Sequence, residues 1–336
     1  MAPGDLSLRG KSVLVTGGAG FIGSHLVDAL VAEGVGRLVV VDNLFLGKES
    51  NLSEARAAFP DLKFYREDAG DLQRMREIMA YEKVEVVFNL AIVPLPASLE
   101  KPLWTWRENV RITEAMCELA RLGLYKTLIH CSSSEVYGSA VDTPMTETHP
   151  LLPRTPYAAS KAACDHLVLS YVSTFKIDAA IIRPFNNYGP RQNEGTYAGV
   201  IPVVIKSMLS GGPVTIFGDG EQTRDYIYVT DAAAAAVDIY KCARTRGRVL
   251  NIASGVEVSI NRLVDTIARI LKYDGEIVHT SPRPGDVRQH WADISMARNL
   301  IGFSPRVGLR EGLEKTVEWY IKNYAAWGAD RKKGGG

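Results

Sequence analysis

Cysteine is scarce and scattered in this chain: Cys117, Cys131, Cys164 and Cys242 stand far apart, with no CxxC pair among them. That spacing offers neither a metal site nor a disulfide framework. Cys131 and Cys164 fall in apolar segments and read as buried free thiols of a cytoplasmic protein. An excess of one charge is also missing. The 39 Lys+Arg against 38 Asp+Glu leave a formal net charge of +1, which gives no electrostatic reason to expect nucleic acid or an acidic membrane as partner. No apolar run approaches the roughly 20 residues that cross a bilayer. Met1-Ala2-Pro3-Gly4-Asp5 lacks the charged-then-apolar order of a signal peptide. What remains, 336 residues of which 46% are hydrophobic, excludes disorder and collagen-like repeats. It suffices for two modest domains or one large α/β domain with an appendage.

The hydrophobic pattern alternates short β-branched runs with stretches of helical period, which argues for a parallel sheet with crossover helices. Ser12–Thr16 and Arg37–Val41 read as strands, the second without polar alternation, as a strand covered on both faces should be. Phe21 to Glu33 reads as the helix between them, stopped by Gly34. Further strands are expected at 63–65, 84–88, 127–131 and 179–182, with Pro184 ending the last. Long helices are expected at 103–122 and 156–175. After Pro184 the chain becomes rich in Gly, Pro and short apolar pieces. An alanine-rich helix at 231–240, capped by Thr230, then rejoins the first part, and helices follow at 259–271 and 309–324. The expected fold class is α/β: a Rossmann-type doubly wound parallel sheet with a smaller C-terminal α/β substrate domain. The expected division gives residues 1–185, rejoined by 229–255, to the domain of the main sheet. Residues 186–228 and 256–330 form the second domain, and 331–336 a disordered tail.

Gly17-Gly18-Ala19-Gly20-Phe21-Ile22-Gly23 lies between the first strand and the first helix. Glycine there permits a tight turn and close approach of backbone to a pyrophosphate, which faces the free N–H groups of the helix start. A glycine motif alone is weak evidence, but strand, helix and an acid at the end of the next strand are all in place. That acid is Asp42, in Val41-Asp42-Asn43. A carboxylate there accepts from a ribose hydroxyl and repels a 2′-phosphate, so NAD is expected over NADP. Asp68 is a lesser candidate for the adenine side.

Tyr157-Ala158-Ala159-Ser160-Lys161 sets a phenol and an ammonium four apart, on one face of a helix. A neighbouring cation favours phenolate and makes a phenol a usable base. Upstream, Cys131-Ser132-Ser133-Ser134-Glu135-Val136-Tyr137-Gly138 brings hydroxyls to the C-terminal edge of a buried strand, where ligands sit in open α/β sheets.

With these segments in this order, the chain resembles the extended short-chain dehydrogenase/reductase family, in its nucleotide-sugar branch, over roughly residues 10–325. The marks are Gly17 to Gly23, Asp42-Asn43, Ser132 to Ser134, Tyr157 to Lys161, Arg183-Pro184-Phe185-Asn186-Asn187-Tyr188-Gly189-Pro190-Arg191, Gly218-Asp219-Gly220, Thr223-Arg224-Asp225-Tyr226 and Pro284-Gly285-Asp286-Val287-Arg288. The resemblance implies tightly held NAD, contacted by Gly17, Gly20, Phe21, Ile22, Gly23, Asp42, Asn43, Ala91, Tyr157, Lys161 and Pro184. It implies Tyr157 as base, Lys161 on the nicotinamide ribose, and Ser133 on the substrate hydroxyl, with Ser134 and Glu135 beside it. It places a nucleotide sugar against Asn186, Val200, Phe217, Arg224 and Arg288, these two arginines meeting phosphate. Arg191, and as a lesser candidate His290, is placed to meet a sugar carboxylate, with a structural role as the equal alternative for Arg191. It also implies a homodimer through the helices at 103–122 and 156–175. Many relatives have His-Leu-Ala-Ala where this chain has Asn89-Leu90-Ala91-Ile92.

Members of that branch share oxidation at the sugar C4 and then diverge. Dehydratases usually show Thr-Asp-Glu where this chain has Ser133-Ser134-Glu135, so their acid is missing. UDP-glucuronate decarboxylases have Thr-Ser-Glu-Val-Tyr-Gly, close to Ser133 through Gly138, but also an arginine where a loose alignment puts His290. The segments 218–228 and 284–293 are more epimerase-like. The expected function is NAD-dependent 4-epimerisation of a UDP-sugar of the glucose, N-acetylglucosamine or glucuronate type through a 4-keto intermediate. Decarboxylation and 4,6-dehydration are the alternatives. A non-enzymatic NAD(H) sensor is expected to lose the Tyr/Lys pair, which this chain retains.

Overall fold

The apolar runs Ser12–Thr16 (β1) and Arg37–Val41 (β2) pair in parallel, with Phe21–Ala32 (α1) crossing between them. Four buried residues in a row in each leave no solvent face, so both faces must be covered. In this computed structural model, which describes residues 6–282 and 287–331, that βαβ unit repeats. Ser53–Ala58 (α2), Lys63–Tyr65 (β3), Leu72–Tyr81 (α3), Val86–Asn89 (β4), Leu95–Glu100 (α4), Pro102–Arg121 (α5), Thr127–Cys131 (β5), Pro156–Phe175 (α6) and Asp178–Pro184 (β6) follow. The next elements are Asn186–Tyr188 (β7), Val200–Leu209 (α7), Val214–Phe217 (β8), Thr223–Tyr228 (β9), Val229–Lys241 (α8) and Val249–Ile252 (β10). Glu257–Ser259 (β11), Ile260–Leu271 (α9), Ile277–Thr280 (β12), Ser295–Ile301 (α10) and Leu309–Arg331 (α11) complete the chain.

Among the described residues the main sheet has seven parallel strands in the order β10-β6-β5-β4-β1-β2-β3. The order reverses between β1 and β4, and the loops leaving these two strands diverge there, which opens the crevice used by ligands in such sheets. Alternate residues serve opposite faces: Val13 and Val15 pack with α1 and α8, Leu14 with α3, α5 and α6. Burying this many aliphatic side chains, at about 1.5–3 kcal/mol each, is the dominant favourable term of the fold.

The region after Pro184 forms a three-stranded sheet, β11-β9-β7, and a pair, β12-β8. Its own core gathers Tyr188, Ile205, Leu263, Ile267, Leu313 and Tyr320. The alanine-rich α8 returns to pack on α1, and β10 adds to the main sheet beside β6. Thr230 does not cap α8: the helix starts at Val229, two residues earlier than expected, with Tyr228 at the N-cap and no side-chain cap. β1 to β6 and α1, α5 and α6 fall within two residues of where hydrophobic period predicts them, and Gly34 turns the chain at φ +73° after α1, but β10, the seventh strand of the main sheet, is not among the expected strands. Residues 332–336 of the expected tail, and Pro284-Gly285-Asp286 of the quoted motif, lie outside the described residues.

Candidate active site

The β1–α1 turn is built for a close ligand. Gly17 has φ +68°, and a Cβ on it would stand 2.8 Å from the Ala91 backbone nitrogen. A Cβ on Gly23 would meet the Gly17 carbonyl oxygen at 2.1 Å. Gly20 is the N-cap of α1, with no side-chain cap and no acidic residue in the first turn. The positive end of the helix, with Phe21 and Ile22 in its first turn, is thereby left without a side-chain anion. Asp42, 7% exposed at the end of β2, accepts from the N–H groups of Ala19 at 3.0 Å and Leu44 at 2.8 Å. Burial pushes its carboxyl above the ordinary range, against the backbone N–H bonds that pull it down. Asn43 is exposed and accepts from Phe45 N–H at 2.9 Å. Asp68 is occupied: Arg111 donates to it at 2.5 Å and Gly70 N–H at 2.8 Å, so its own contacts are those of a loop anchor. Ala91 N–H donates to Thr16 Oγ1 at 3.2 Å. Pro184 joins Ile22, Leu90 and Cys131 in lining an apolar pocket at the strand ends.

Tyr157 and Lys161 lie in the first turns of α6, which Thr155 caps by accepting from Ala158 N–H at 3.1 Å. Lys161 is 3% exposed and donates to the Cys131 carbonyl oxygen at the end of β5. Tyr157 hydrogen-bonds to Ser133, which lowers its pKa. Burial is the larger effect and raises the phenol above its ordinary value; Cys131, Glu135 and Asp165 add to the rise. In the free chain the phenol is thus held above its ordinary range. Ser133 caps the single-turn helix Ser134–Tyr137, accepting from Glu135 N–H at 3.2 Å. Ser134 is 3% exposed, and its carbonyl oxygen accepts from His290 Nε2 at 3.2 Å.

On the other side of the crevice stand Asn186 at the start of β7, half-exposed Val200 at the start of α7, and Phe217 at the end of β8. The Asn186 Oδ1 is buried with no hydrogen-bond partner among the described residues, as suits a group awaiting a polar ligand. Arg224 and Arg288 are brought together, because Thr223 N–H donates to the Arg288 carbonyl at 2.9 Å. Arg224 donates to the carbonyl oxygens of Thr223 and Val287, both at 2.8 Å. Arg288, 62% exposed, donates to both oxygens of Asp219, at 2.7 and 2.9 Å. Arg191 is not turned to that group. Its buried guanidinium pairs with Asp28 at 2.6 Å and Glu54 at 2.9 Å, tying the chain after β7 to α1 and α2. His290 is no cation either: it is 1% exposed, and burial lowers its pKa to about 4.

Sequence reasoning gives no role to a row of buried polar residues across the strand ends. Thr16 donates to Asn89 Oδ1 at 2.7 Å, and the Asn89 amide lies 3.2 Å from His130 Nδ1. Asn89, which departs from the family's His, thus belongs to this row. Asn109 of α5 was also invisible; its amide spans Val93 and Ser160, joining the loop after β4 to α6. The available signal was polar residues closing otherwise apolar strands, and an asparagine inside a helix despite its poor propensity.

Comparison with known proteins gives this geometry its family. Residues 13–253 match the model of the NAD dependent epimerase/dehydratase family. The chain belongs to that family. A UDP-glucose 4-epimerase of Mycolicibacterium smegmatis is 38% identical over 309 residues, covering 91% of this chain and 97% of that protein. The Thermotoga maritima UDP-glucose 4-epimerase, solved with UDP-glucose, superposes with a TM-score of 0.88 at 35% identity, covering 93% and 99% of the two chains. That of Thermus thermophilus, solved with NAD, gives 0.83 at 30% identity, covering 92% and 99%. The chain is thus an NAD-dependent enzyme of the nucleotide-sugar epimerase group within the extended short-chain dehydrogenase/reductases. Dehydratases are similar as well: a dTDP-glucose 4,6-dehydratase from an Actinoplanes species is 33% identical over 332 residues, covering 94% and 99%. Among the described residues no helix is long and apolar enough to cross a membrane.

Proposed function

We propose that this enzyme is a UDP-sugar 4-epimerase that works through a transient 4-keto sugar, in two lobes that part at about Pro184. NAD, when bound, supplies a hydride acceptor at the sugar C4 that gives the hydride back within the same turnover. Gly17, Gly20, Gly23 and Asp42 hold that cofactor, with the glycines leaving room for the pyrophosphate and Asp42 facing the ribose. Tyr157 accepts the proton of the sugar O4, and Ser133 orients that hydroxyl by sharing its hydrogen bond with the phenol. Lys161, buried beside them, supplies the positive charge that brings the phenol toward ionisation once the cofactor's own cation joins it. Arg224 and Arg288, with Asn186, answer the diphosphate.

The observation that carries the reading is the contact between Ser134 and His290. A dehydratase requires an acid at the first of these positions, and a decarboxylase of this branch an arginine at the second. Here the first is a hydroxyl and the second a buried neutral imidazole. Epimerisation requires neither, only that the keto sugar turn over before reduction. With a neutral imidazole in place of an arginine at the second position and the Glu135 carboxylate acting on Tyr157, the pocket favours sugars uncharged at C6, UDP-glucose and UDP-N-acetylglucosamine, over UDP-glucuronate. We further propose a homodimer joined through α5 and α6, where Leu103 and Trp106 are exposed, and a cytoplasmic location, which suits the free thiols of Cys117, Cys131, Cys164 and Cys242.

Incubation with each of the three UDP-sugars, followed by NMR, tests this. The expected product is the C4-inverted sugar at equilibrium with its substrate. Release of carbon dioxide, or a 4-keto-6-deoxy product, would replace epimerisation with one of the two alternatives.

A further inference from the structure

We propose that Arg183 is a positioning residue that clamps the helix carrying Tyr157 and Lys161 to the turn carrying Ser133, Ser134 and Glu135. The inference rests on the reading of Tyr157 and Ser133 as the reacting pair. Those two residues come from different elements, α6 and the single-turn helix Ser134–Tyr137, so their separation depends on what joins the elements. Arg183, 3% exposed on β6, reaches both. Its Nε and one terminal nitrogen donate to Asp165 Oδ2 of α6, each at 2.8 Å. Its other terminal nitrogen donates to the Tyr137 hydroxyl at 2.9 Å, and the guanidinium lies 4.9 Å from that ring's centre.

Each link is saturated or single. Tyr137, fully buried, accepts from Arg183 and spends its one proton on Asn251 Oδ1 at 2.7 Å. That bond anchors the turn to β10, and Asn251 in turn donates to the Met145 carbonyl at 3.0 Å. On the α6 side, Asp165 Oδ1 has no hydrogen-bond partner among the described residues and lies 4.0 Å from His130 Nε2, which has none either. The Arg183 link to the helix therefore runs through Oδ2 alone. Asp165 stands one turn after Lys161 on α6, so the held turn is the one that follows the catalytic lysine. A buried ion pair is a poor source of net stability, because desolvation cancels much of its attraction. A planar fork fixed at both ends does set distance and angle. Aliphatic side chains of equal volume would fill the space without fixing either.

The test is Tyr137→Phe in the full chain, which removes one hydroxyl and no volume. Hydrogen exchange of peptides covering 132–138 and steady-state kinetics with UDP-glucose and UDP-N-acetylglucosamine are measured on the parent and the variant. The clamp predicts about tenfold faster exchange in that segment. It also predicts a kcat reduced about ten- to a hundredfold with KM within about twofold, the signature of a displaced reacting group. Asp165→Ala, which cuts the α6 end, should reproduce the kinetic pattern. Unchanged exchange would overturn the clamp, and so would faster exchange with unchanged kcat. If the parent turns over neither sugar, the epimerase reading fails, while the exchange comparison still decides whether Tyr137 holds the turn.

Discussion

His290 donates from Nε2 to the carbonyl oxygen of Ser134 at 3.2 Å, while its ring lies 5.1 Å from that of Phe185. The imidazole is sealed between the second sheet and the active-site turn, and its pKa falls to about 4. His25, on α1 against the Pro190 carbonyl, falls to about 4 for the same reason. Both rings titrate near 6.5 once unfolded, so between about pH 4 and 6.5 the unfolded chain binds more protons than the folded one. Stability is therefore full above about pH 6.5 and declines as the pH falls toward 4.

Denaturant unfolding at pH 7 and pH 5 checks this. The parent should lose more stability over that interval than His290→Gln, which removes one of the titrating rings. Buried carboxylates with raised pKa, such as Asp225 and Glu147, act in the opposite sense but are common to both proteins. Equal losses would show that His290 is not held neutral.

Tyr157→Phe removes the proposed proton acceptor and keeps the ring. Turnover should fall by about a hundred- to ten-thousandfold, while NAD content of the purified protein stays at the parent's level. Absorbance of the released cofactor and a coupled sugar assay give the two numbers.

Asp42→Ala should weaken NAD binding by about ten- to a hundredfold, the cost of a charge-assisted hydrogen bond. It should also narrow the preference over NADP, since the carboxylate no longer repels a 2′-phosphate. Titration calorimetry on cofactor-stripped protein reads both affinities.

Arg191→Ala separates a latch from a ligand contact. Removing the guanidinium leaves Asp28 partly buried and unpaired, and its carboxyl, already raised by burial, rises further. The expected result is a stability loss of about 1–3 kcal/mol with KM for the UDP-sugar within about twofold. A large rise in KM with no loss of stability would return Arg191 to the substrate.

Much of this molecule is legible in its residues because local signals agree with global ones. The β1–α1 loop needs glycine for steric reasons, so its motif and its geometry coincide at Gly17 and Gly23. The β-branched runs of the main sheet have no alternative to a doubly covered sheet. The elements around β7 to β12 are short, and their partners are distant in sequence, so period alone does not resolve them. Arg191 and Asp68 are cases where residue type admits two roles and only the partner decides: Asp28 and Glu54 for one, Arg111 for the other. The row from Thr16 through Asn89 to His130 is hidden for another reason. Each member is one polar residue in an apolar strand, and the register that aligns Thr16 with Asn89 and Asn89 with His130 exists only in the sheet.

The central claim is that hydrogen leaves and returns to the same carbon without meeting solvent. Running the epimerisation in deuterium oxide and following the sugar C4 and C5 protons by NMR tests it most directly. The account predicts full retention of protium at both carbons while the C4 configuration equilibrates. Deuterium at either carbon would contradict it.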